Sequence, residues 1–450
     1  MNPCFCVIFL LRLSFATAVN FTQVFAWNEW AFERPSKAIK TQAQRQESFN
    51  QENIQPRYMA VYGSRIFLSL QKFDDIPETL VSLRTSSAST SSPKLSPFPS
   101  LAMNKWKDCN KIQAAKGLEV DAIGRLWVLD DGSDSCNAKL WTIHLANNDH
   151  TKLSVRFPFK KPMHDLVLEE TPDGTFAYIS MMGERNIVVF SLEKSQCWIV
   201  DTPGVHVLSI ALSPREEPRQ LYLGKSKSNE LYSISVAALR NGTRTANPKL
   251  IGKWTANNSY RMLMDNRGTM YTAFLSPNYI QSWNSSQPFQ EQRFFEVGRQ
   301  IAIWPFTFAL DSSGNFWMTV FHYKADKPKC RLLRAAVGVK PYYITDSTTK
   351  GVSTVTTNCT SCIKGGSVAG KRQTDESTNY ALIGSVALFL VLSFIISPWL
   401  CLRMRNMRNS NEQETEMPTF PNPVSPEMVH EEIENDLYGV VTAPPPRPWL

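Results

Sequence analysis

Three histidines and one neighbouring acid are the residues best suited to chemistry in this chain. His164 and Asp165 are adjacent, while His206 and His322 begin or end other apolar segments. Imidazole titrates near neutral pH and can transfer a proton or bind a metal ion. Neighbours on a strand point to opposite faces, so His164 and Asp165 are not expected to form a simple dyad. His164 and His322 are the candidate proton-transfer groups, and six scattered histidines in 450 residues do not predict a metal site.

No local catalytic or cofactor-binding motif accompanies these residues. The sequence lacks a P-loop, a G-x-S-x-G turn, an H-E-x-x-H helix and a Rossmann glycine set. Asp130, Asp131 and Asp134 form an acidic loop, but their spacing is not that of an EF-hand, which favours an ordinary turn. No cofactor is therefore predicted, and a site would have to be assembled from distant segments.

The segments that would assemble such a site repeat six times. An apolar strand, a turn with Asp or Gly and a strand with an aromatic residue recur, most clearly at residues 117–129. The second-strand aromatics are spaced by 60, 51, 44, 49 and 46 residues (Phe67, Trp127, Tyr178, Tyr222, Tyr271, Trp317). This spacing is typical of four-stranded propeller blades. We predict an all-β, six-bladed propeller over residues 57–340, with residues 19–56 packing on it; one or two β-sandwiches are the alternative.

Both ends of the chain carry targeting signals. Residues 1–18 form a short apolar run ending in a small-x-small pattern, which predicts a cleaved signal peptide; an uncleaved anchor is the alternative. Residues 380–402 are uncharged, and a run this long predicts one transmembrane helix rather than a buried core helix. Arginines follow the run directly, which places the 403–450 tail in the cytosol and residues 19–379 outside, with 341–379 as a Ser/Thr-rich stalk.

Cysteines and sequons support this type I topology. The outer part holds five glycosylation sequons (Asn20, Asn241, Asn257, Asn284, Asn358). It also holds six cysteines, an even number that suits disulfides in an oxidising compartment and allows fifteen pairings.

Charge is divided unevenly along the chain. The net charge is +8, and because the tail carries −4 and the signal +1, the outer part carries +11. Such an excess is suited to an anionic matrix or lipid surface, whereas no nucleic-acid module is present. The acidic tail predicts disorder, and its Pro444 to Pro448 run is a candidate ligand for an SH3-like or WW-like domain.

The ordered set of motifs resembles the yellow and major royal jelly protein family of arthropods. The resemblance begins at residues 25–36, is strongest at 120–132 and extends through 176–180 and 210–214. It implies a six-bladed propeller and a Cys109–Cys136 disulfide. It also implies that Asp165 matches a family Asp. In contrast, Phe306 and Thr307 replace a Ser-Asp pair near the position where some relatives bind amines.

Three functions agree with these features. The first is a binding or display protein in cuticle, chorion or another matrix, which the membrane anchor favours over catalysis. The second is binding of biogenic amines or catechols by an aromatic-lined channel that includes Trp304, Phe306 and Phe321, through cation–π contacts. The third is dopachrome-type tautomerisation, an isomerase activity implied by the resemblance and dependent on His164 or His322.

Overall fold

The computed structural model describes residues 19–33, 54–71, 78–86, 92–105, 107–160, 162–215, 218–275, 277–297, 306–322 and 328–344. The predicted signal peptide, transmembrane helix and tail, and the stalk beyond residue 344, lie outside these ranges. Among the described residues, no helix combines the length and the apolar character needed to cross a bilayer.

Six four-stranded antiparallel sheets form the blades of a β-propeller, which confirms the predicted fold. Blades 1 to 5 each use four consecutive strands, in the sheet orders β2–β5, β6–β9, β10–β13, β14–β17 and β18–β21. The bounds of blades 1 and 2 are β2 (Pro56–Tyr62), β3 (Arg65–Leu70), β4 (Leu80–Arg84), β5 (Ser96–Pro97), β6 (Ala115–Val120), β7 (Arg125–Asp130), β8 (Lys139–His144) and β9 (His150–Arg156). Those of blades 3 to 5 are β10 (Met163–Thr171), β11 (Gly174–Met181), β12 (Asn186–Ser191), β13 (Gln196–Asp201), β14 (Val207–Leu212), β15 (Gln220–Lys225), β16 (Glu230–Ser235), β17 (Lys249–Lys253), β18 (Ser259–Met264), β19 (Thr269–Phe274), β20 (Tyr279–Asn284) and β21 (Gln292–Glu296). The short helix α1 (Val236–Arg240) leads out of β16.

Blade 6 joins the two ends of the described chain. Its strands are β22 (Phe306–Leu310), β23 (Asn315–Phe321), β24 (Cys330–Ala336) and the N-terminal β1 (Thr22–Trp27), which pairs with β24. Trp27 is fully buried, stacks on Trp30 with 5.2 Å between ring centroids, and donates from Nε1 to Pro93 O at 2.8 Å. Part of the predicted N-terminal packing segment is therefore an integral strand that closes the ring.

The recurring Asp of the sequence pattern has a defined role in three blades. Asp121 accepts hydrogen bonds from the Arg125 backbone and from Trp127 Nε1, six residues onward on the second strand. Asp311 contacts Trp317 Nε1 at 2.7 Å, and Asp265 contacts the Tyr271 hydroxyl at 3.0 Å. Each Asp thus fixes a hairpin turn and the buried aromatic that follows it, which explains why the two residue types recur together.

All six predicted aromatics lie on the second strands of their blades and are buried between neighbouring sheets. The first strands line the central channel. We call the end at which these innermost strands begin the upper end, and the end at which they finish the lower end.

Candidate binding site in the central channel

Irregular pairing marks the upper end of five of the six innermost strands. The register between first and second strands shifts at Pro56/Tyr58, Ala115/Leu118, Met163/Leu166, Val207/Ile210 and Ser259/Arg261. A β-bulge of this kind bends the strand and redirects its side chains. Polar residues stand at or beside the shifts and converge on the channel instead of alternating strictly between the faces of each sheet.

The converging residues form one group, which we call the channel cluster. It consists of Arg57, Tyr58, Lys116, His164, Asp165, Tyr260 and Arg261. The members come from blades 1, 2, 3 and 5. All are buried except Lys116, whose side chain is 17% exposed and faces Asp131 Oδ2 at 4.0 Å.

Asp165 forms a buried ion pair with Arg261 across the channel. Arg261 Nη1 lies 2.7 Å from Asp165 Oδ1, and the two side chains are 2% and 0% exposed. Oδ1 also accepts from Leu166 N at 3.0 Å, while Oδ2 accepts from Ile210 N at 3.1 Å. Burial raises the pKa of the Asp165 carboxyl, and the guanidinium and both amides oppose that rise. The pair ties blades 3, 4 and 5 together.

His164 is held as a neutral imidazole. Its Nε2 lies 3.1 Å from the carbonyl oxygen of Tyr260, and because a carbonyl only accepts, Nε2 must carry the proton. Burial lowers the pKa of His164 to about 3, and the nearby cations Lys116, Arg57 and Arg261 act in the same direction. A base this weak captures protons poorly at neutral pH.

Two tyrosine rings of the cluster are already covered by arginines. The Arg261 guanidinium carbon lies 5.3 Å from the centroid of Tyr58, and that of Arg57 lies 5.7 Å from the centroid of Tyr260. Arg57 also donates to the Tyr260 hydroxyl at 3.4 Å and to Gln55 Oε1 at 3.1 Å. The cation–π positions on these rings are thus occupied by the protein's own side chains.

The C-terminal segment packs against the lower end of the channel. The Tyr342 hydroxyl donates to Leu168 O and accepts from Leu168 N, both at 2.9 Å, on the open edge of β10. Asn266 and Lys340 exchange hydrogen bonds that fix the segment to blade 5. The propeller body therefore continues past residue 340, the boundary predicted for the stalk, to at least Ile344.

Above this segment lies a cavity of about 20 Å³, whose lining includes Glu119, Arg261 and Tyr343. Burial raises the pKa of Glu119 to about 8, while Arg261 opposes the rise and Asp165 adds to it. A buried carboxyl that titrates near neutrality is a candidate proton-transfer group.

The predicted aromatic ligand contacts lie in the apolar core between blades. Phe306 is 3% exposed and packs near Phe295, with 6.0 Å between centroids, while Phe321 is 4% exposed in the cluster that contains Trp27. His322 is 5% exposed and its backbone nitrogen donates to Lys329 O at 2.7 Å. Trp304 lies outside the described residues. The channel cluster is thus built from different side chains, apart from His164 and Asp165.

His206, the third histidine considered, is exposed, and its Nδ1 contacts Gly183 O at 2.7 Å. It takes no part in the channel cluster.

The predicted modifications fall at suitable positions. Cys109 and Cys136 form a disulfide with a Cα–Cα distance of 5.2 Å, which confirms that pairing and agrees with an oxidising compartment. Four sequon asparagines lie within the described ranges, and all are exposed (Asn20, Asn241, Asn257, Asn284). Asn358 lies outside these ranges.

The sequence contains an indication of four charged channel residues that its motifs do not reveal. Arg57, Lys116, Glu119 and Arg261 interrupt strands that are otherwise rich in apolar residues, and a charge on an innermost strand must face the channel or a buried partner. Comparing equivalent positions of the six repeats would have grouped them.

The chain is similar to known proteins both in sequence and in structure. A model of the major royal jelly protein family matches residues 113–207 and 202–318. Protein yellow of Drosophila subobscura is 23% identical over 353 residues, and that of Drosophila erecta is 23% identical over 348. Each alignment covers 67% of this chain but only 61% and 64% of the respective relative. A solved luciferin-regenerating enzyme is 9% identical, with a TM-score of 0.42 over 72% of this chain and 98% of that one. The family-model match and the yellow relatives support the resemblance of the chain to the yellow and major royal jelly protein family, at modest sequence identity.

Proposed function

We propose that this chain is a cell-surface binding protein, anchored by residues 380–402, whose propeller captures a small molecule at the upper end of its channel. One observation carries the proposal: polar side chains from four blades converge at the upper end of the channel, where the Tyr58 hydroxyl and Arg261 Nε have no hydrogen-bond partner within the described residues. A concave site with a few converging polar groups is typical of ligand binding.

The physiological setting belongs to the same proposal. The family resemblance, the disulfide and the exposed sequons support an extracellular role in pigmented cuticle, chorion or a related matrix. The positive outer part supports an anionic matrix as a further contact, and the proline-rich tail supports an SH3-like or WW-like partner on the cytosolic side.

Calorimetry on the full-length protein in detergent tests the proposal. The ligands are dopamine, serotonin, the carboxylate analogues of both, and freshly prepared dopachrome. We expect saturable heat with at least one compound. Absence of saturable heat across the whole panel would refute a pocket for this chemistry and leave surface display as the remaining role.

Tautomerisation of a dopachrome-like quinone is the second candidate, favoured by Glu119 rather than by the histidines. The reaction moves a proton from a ring carbon to an oxygen and needs a group that titrates near neutrality. Glu119 meets that condition, whereas His164 with a pKa of about 3 does not. We expect Glu119→Gln to abolish any loss of dopachrome colour that the wild type catalyses. Turnover that survives this change would exclude Glu119.

A further inference from the structure

The charge of the channel cluster selects among the ligands of the proposed pocket, on which this inference rests. An ammonium ligand needs a carboxylate or an open aromatic face. Both oxygens of Asp165, the carboxylate at the centre of the cluster, already accept hydrogen bonds, Oδ1 from Arg261 and Leu166 N and Oδ2 from Ile210 N. Asp131, at the rim, already accepts from Met163 N at 2.6 Å and faces Lys116.

The aromatic faces are no better suited to an ammonium. Arg261 covers the Tyr58 ring at 5.3 Å, and Arg57 covers the Tyr260 ring at 5.7 Å. A cationic ligand would have to displace a buried guanidinium or lie beside it. Like charges at such distances in a poorly solvated site repel strongly.

The same surroundings favour a negative charge. Lys116, Arg57 and Arg261 all lie close enough to His164 to disfavour its protonation. Glu119, the remaining carboxyl near Arg261, is mostly protonated at neutral pH. The channel cluster itself holds three cationic side chains, Arg57, Lys116 and Arg261, and one carboxylate, Asp165, so its formal charge favours an anion.

Buried hydrogen-bond donors that have no acceptor also favour an anionic ligand. Within the described part of the chain, the Tyr58 hydroxyl and Arg261 Nε have no hydrogen-bond partner, although both residues are at most 2% exposed. Burial raises the pKa of Tyr58 well above its usual value, so the phenol keeps its proton and can donate it. An unpaired buried donor is costly, and a ligand oxygen would remove that cost.

We infer that the channel cluster binds a small organic carboxylate, with Lys116 and Arg261 attracting the anion and the Tyr58 hydroxyl donating to it, and that it excludes the corresponding amine. Lys116 is the entry residue, because it is the one partly exposed cation of the cluster.

Two matched ligand pairs test the sign of the charge. Dopamine and 3,4-dihydroxyphenylacetate share a catechol ring, and serotonin and 5-hydroxyindole-3-acetate share a hydroxyindole, but the members of each pair carry opposite charges. By calorimetry on the full-length protein, we expect the carboxylate to bind at least tenfold more tightly than its amine in at least one pair. Added salt should weaken that binding.

Three variants test the residues. Lys116→Met should weaken carboxylate binding about tenfold or more, since hydrogen bonds to charged groups contribute strongly. Lys152→Met is the control, because Lys152 is an exposed lysine on the outer strand of the same blade and its loss should leave the affinity unchanged. Tyr58→Phe should also weaken binding about tenfold without lowering the melting temperature, since the deleted hydroxyl has no partner within the described residues.

The outcomes separate the inference from the proposed function. Binding of amines in preference to carboxylates would overturn the inference and leave the pocket standing. Carboxylate binding that is unchanged in both Lys116→Met and Tyr58→Phe would place the ligand elsewhere and also overturn it. Absence of saturable heat with all four compounds would overturn the inference, and absence of heat with dopachrome as well would refute the pocket.

Discussion

Replacing Tyr342 with Phe tests whether the C-terminal segment is part of the folded propeller. The hydroxyl is the link between this segment and blade 3, donating to Leu168 O and accepting from Leu168 N at 2.9 Å each. Leu168 lies on an innermost strand, whose channel edge has no neighbouring strand in its sheet. After the substitution, no backbone group of that sheet is in position to satisfy either atom.

The expected loss follows from those two contacts. Leaving a buried donor or acceptor unpaired costs about 1–3 kcal/mol. Tyr342 is only 2% exposed, so solvent replaces the hydroxyl poorly. We expect the free energy of unfolding to fall by about 2–4 kcal/mol for the two groups together. At roughly 2–4 °C per kcal/mol for a domain of this size, the melting temperature should fall by about 4–16 °C.

Thermal unfolding of the full-length protein, followed by near-ultraviolet circular dichroism, measures the effect. Tyr343→Phe is the matched control, because Tyr343 is the neighbouring, half-buried tyrosine and no hydrogen bond of its hydroxyl is found in the described part of the chain. It should shift the melting temperature by no more than about 1 °C, as surface changes usually do. Equal shifts in the two variants, or no shift in Tyr342→Phe, would refute an anchoring role for the hydroxyl.

Three further predictions concern the ion pair, the buried acid and the topology. Asp165→Asn should destabilise the fold by about 3–5 kcal/mol in chemical denaturation, because it leaves Arg261 without its carboxylate partner. Adding Arg261→Met to this variant should recover part of the lost stability. No recovery would argue against direct coupling of the two residues. Because the folded-state pKa of Glu119 is raised, the wild type should lose stability as pH rises from about 4.5 to 8. In melting curves recorded across this range, Glu119→Gln should show a smaller fall of the melting temperature with pH. An equal fall in the two proteins would contradict the raised pKa. A glycosidase that removes N-linked glycans should increase the mobility of the secreted-pathway form on gels. Substitution of the three propeller asparagines should remove most of that shift (Asn241, Asn257, Asn284). A chain without glycans would contradict the topology.

The blades could be predicted because their signal is local and repeated. Asp121 and Trp127 are six residues apart in the sequence and bond directly in the structure, and the same interval separates Asp311 from Trp317. A turn that uses its own Asp to hold its own aromatic leaves a pattern that a sequence search can count. The disulfide followed from the family resemblance, since the cysteines alone allowed fifteen pairings.

The channel cluster could not be assembled in the same way because it depends on long-range geometry. Strict alternation along a strand separates His164 from Asp165, but the register shift between Met163 and Leu166 changes the local geometry, and neither residue reveals a bulge by type. Their partners, Tyr260 and Arg261, are 96 residues away in sequence. Phe306 lies in the apolar core between blades, and because such cores use the same aromatic residue types as ligand sites, its type alone does not distinguish the two roles.

Ring closure by β1 has a consequence for synthesis. The bond from Thr22 to Arg334 joins residues separated by 312 positions, so β1 emerges first and finds its partner last. At about 5–20 residues per second, the first strand waits roughly 15–60 s for β24 to be translated. During that interval its apolar side, with Phe25 and Trp27, has no blade to complete, and unpaired strands of this kind invite wrong partners. The nascent chain therefore needs protection at its amino end until nearly the whole propeller has been made, and a chain that stops before residue 330 leaves β1 permanently without its partner.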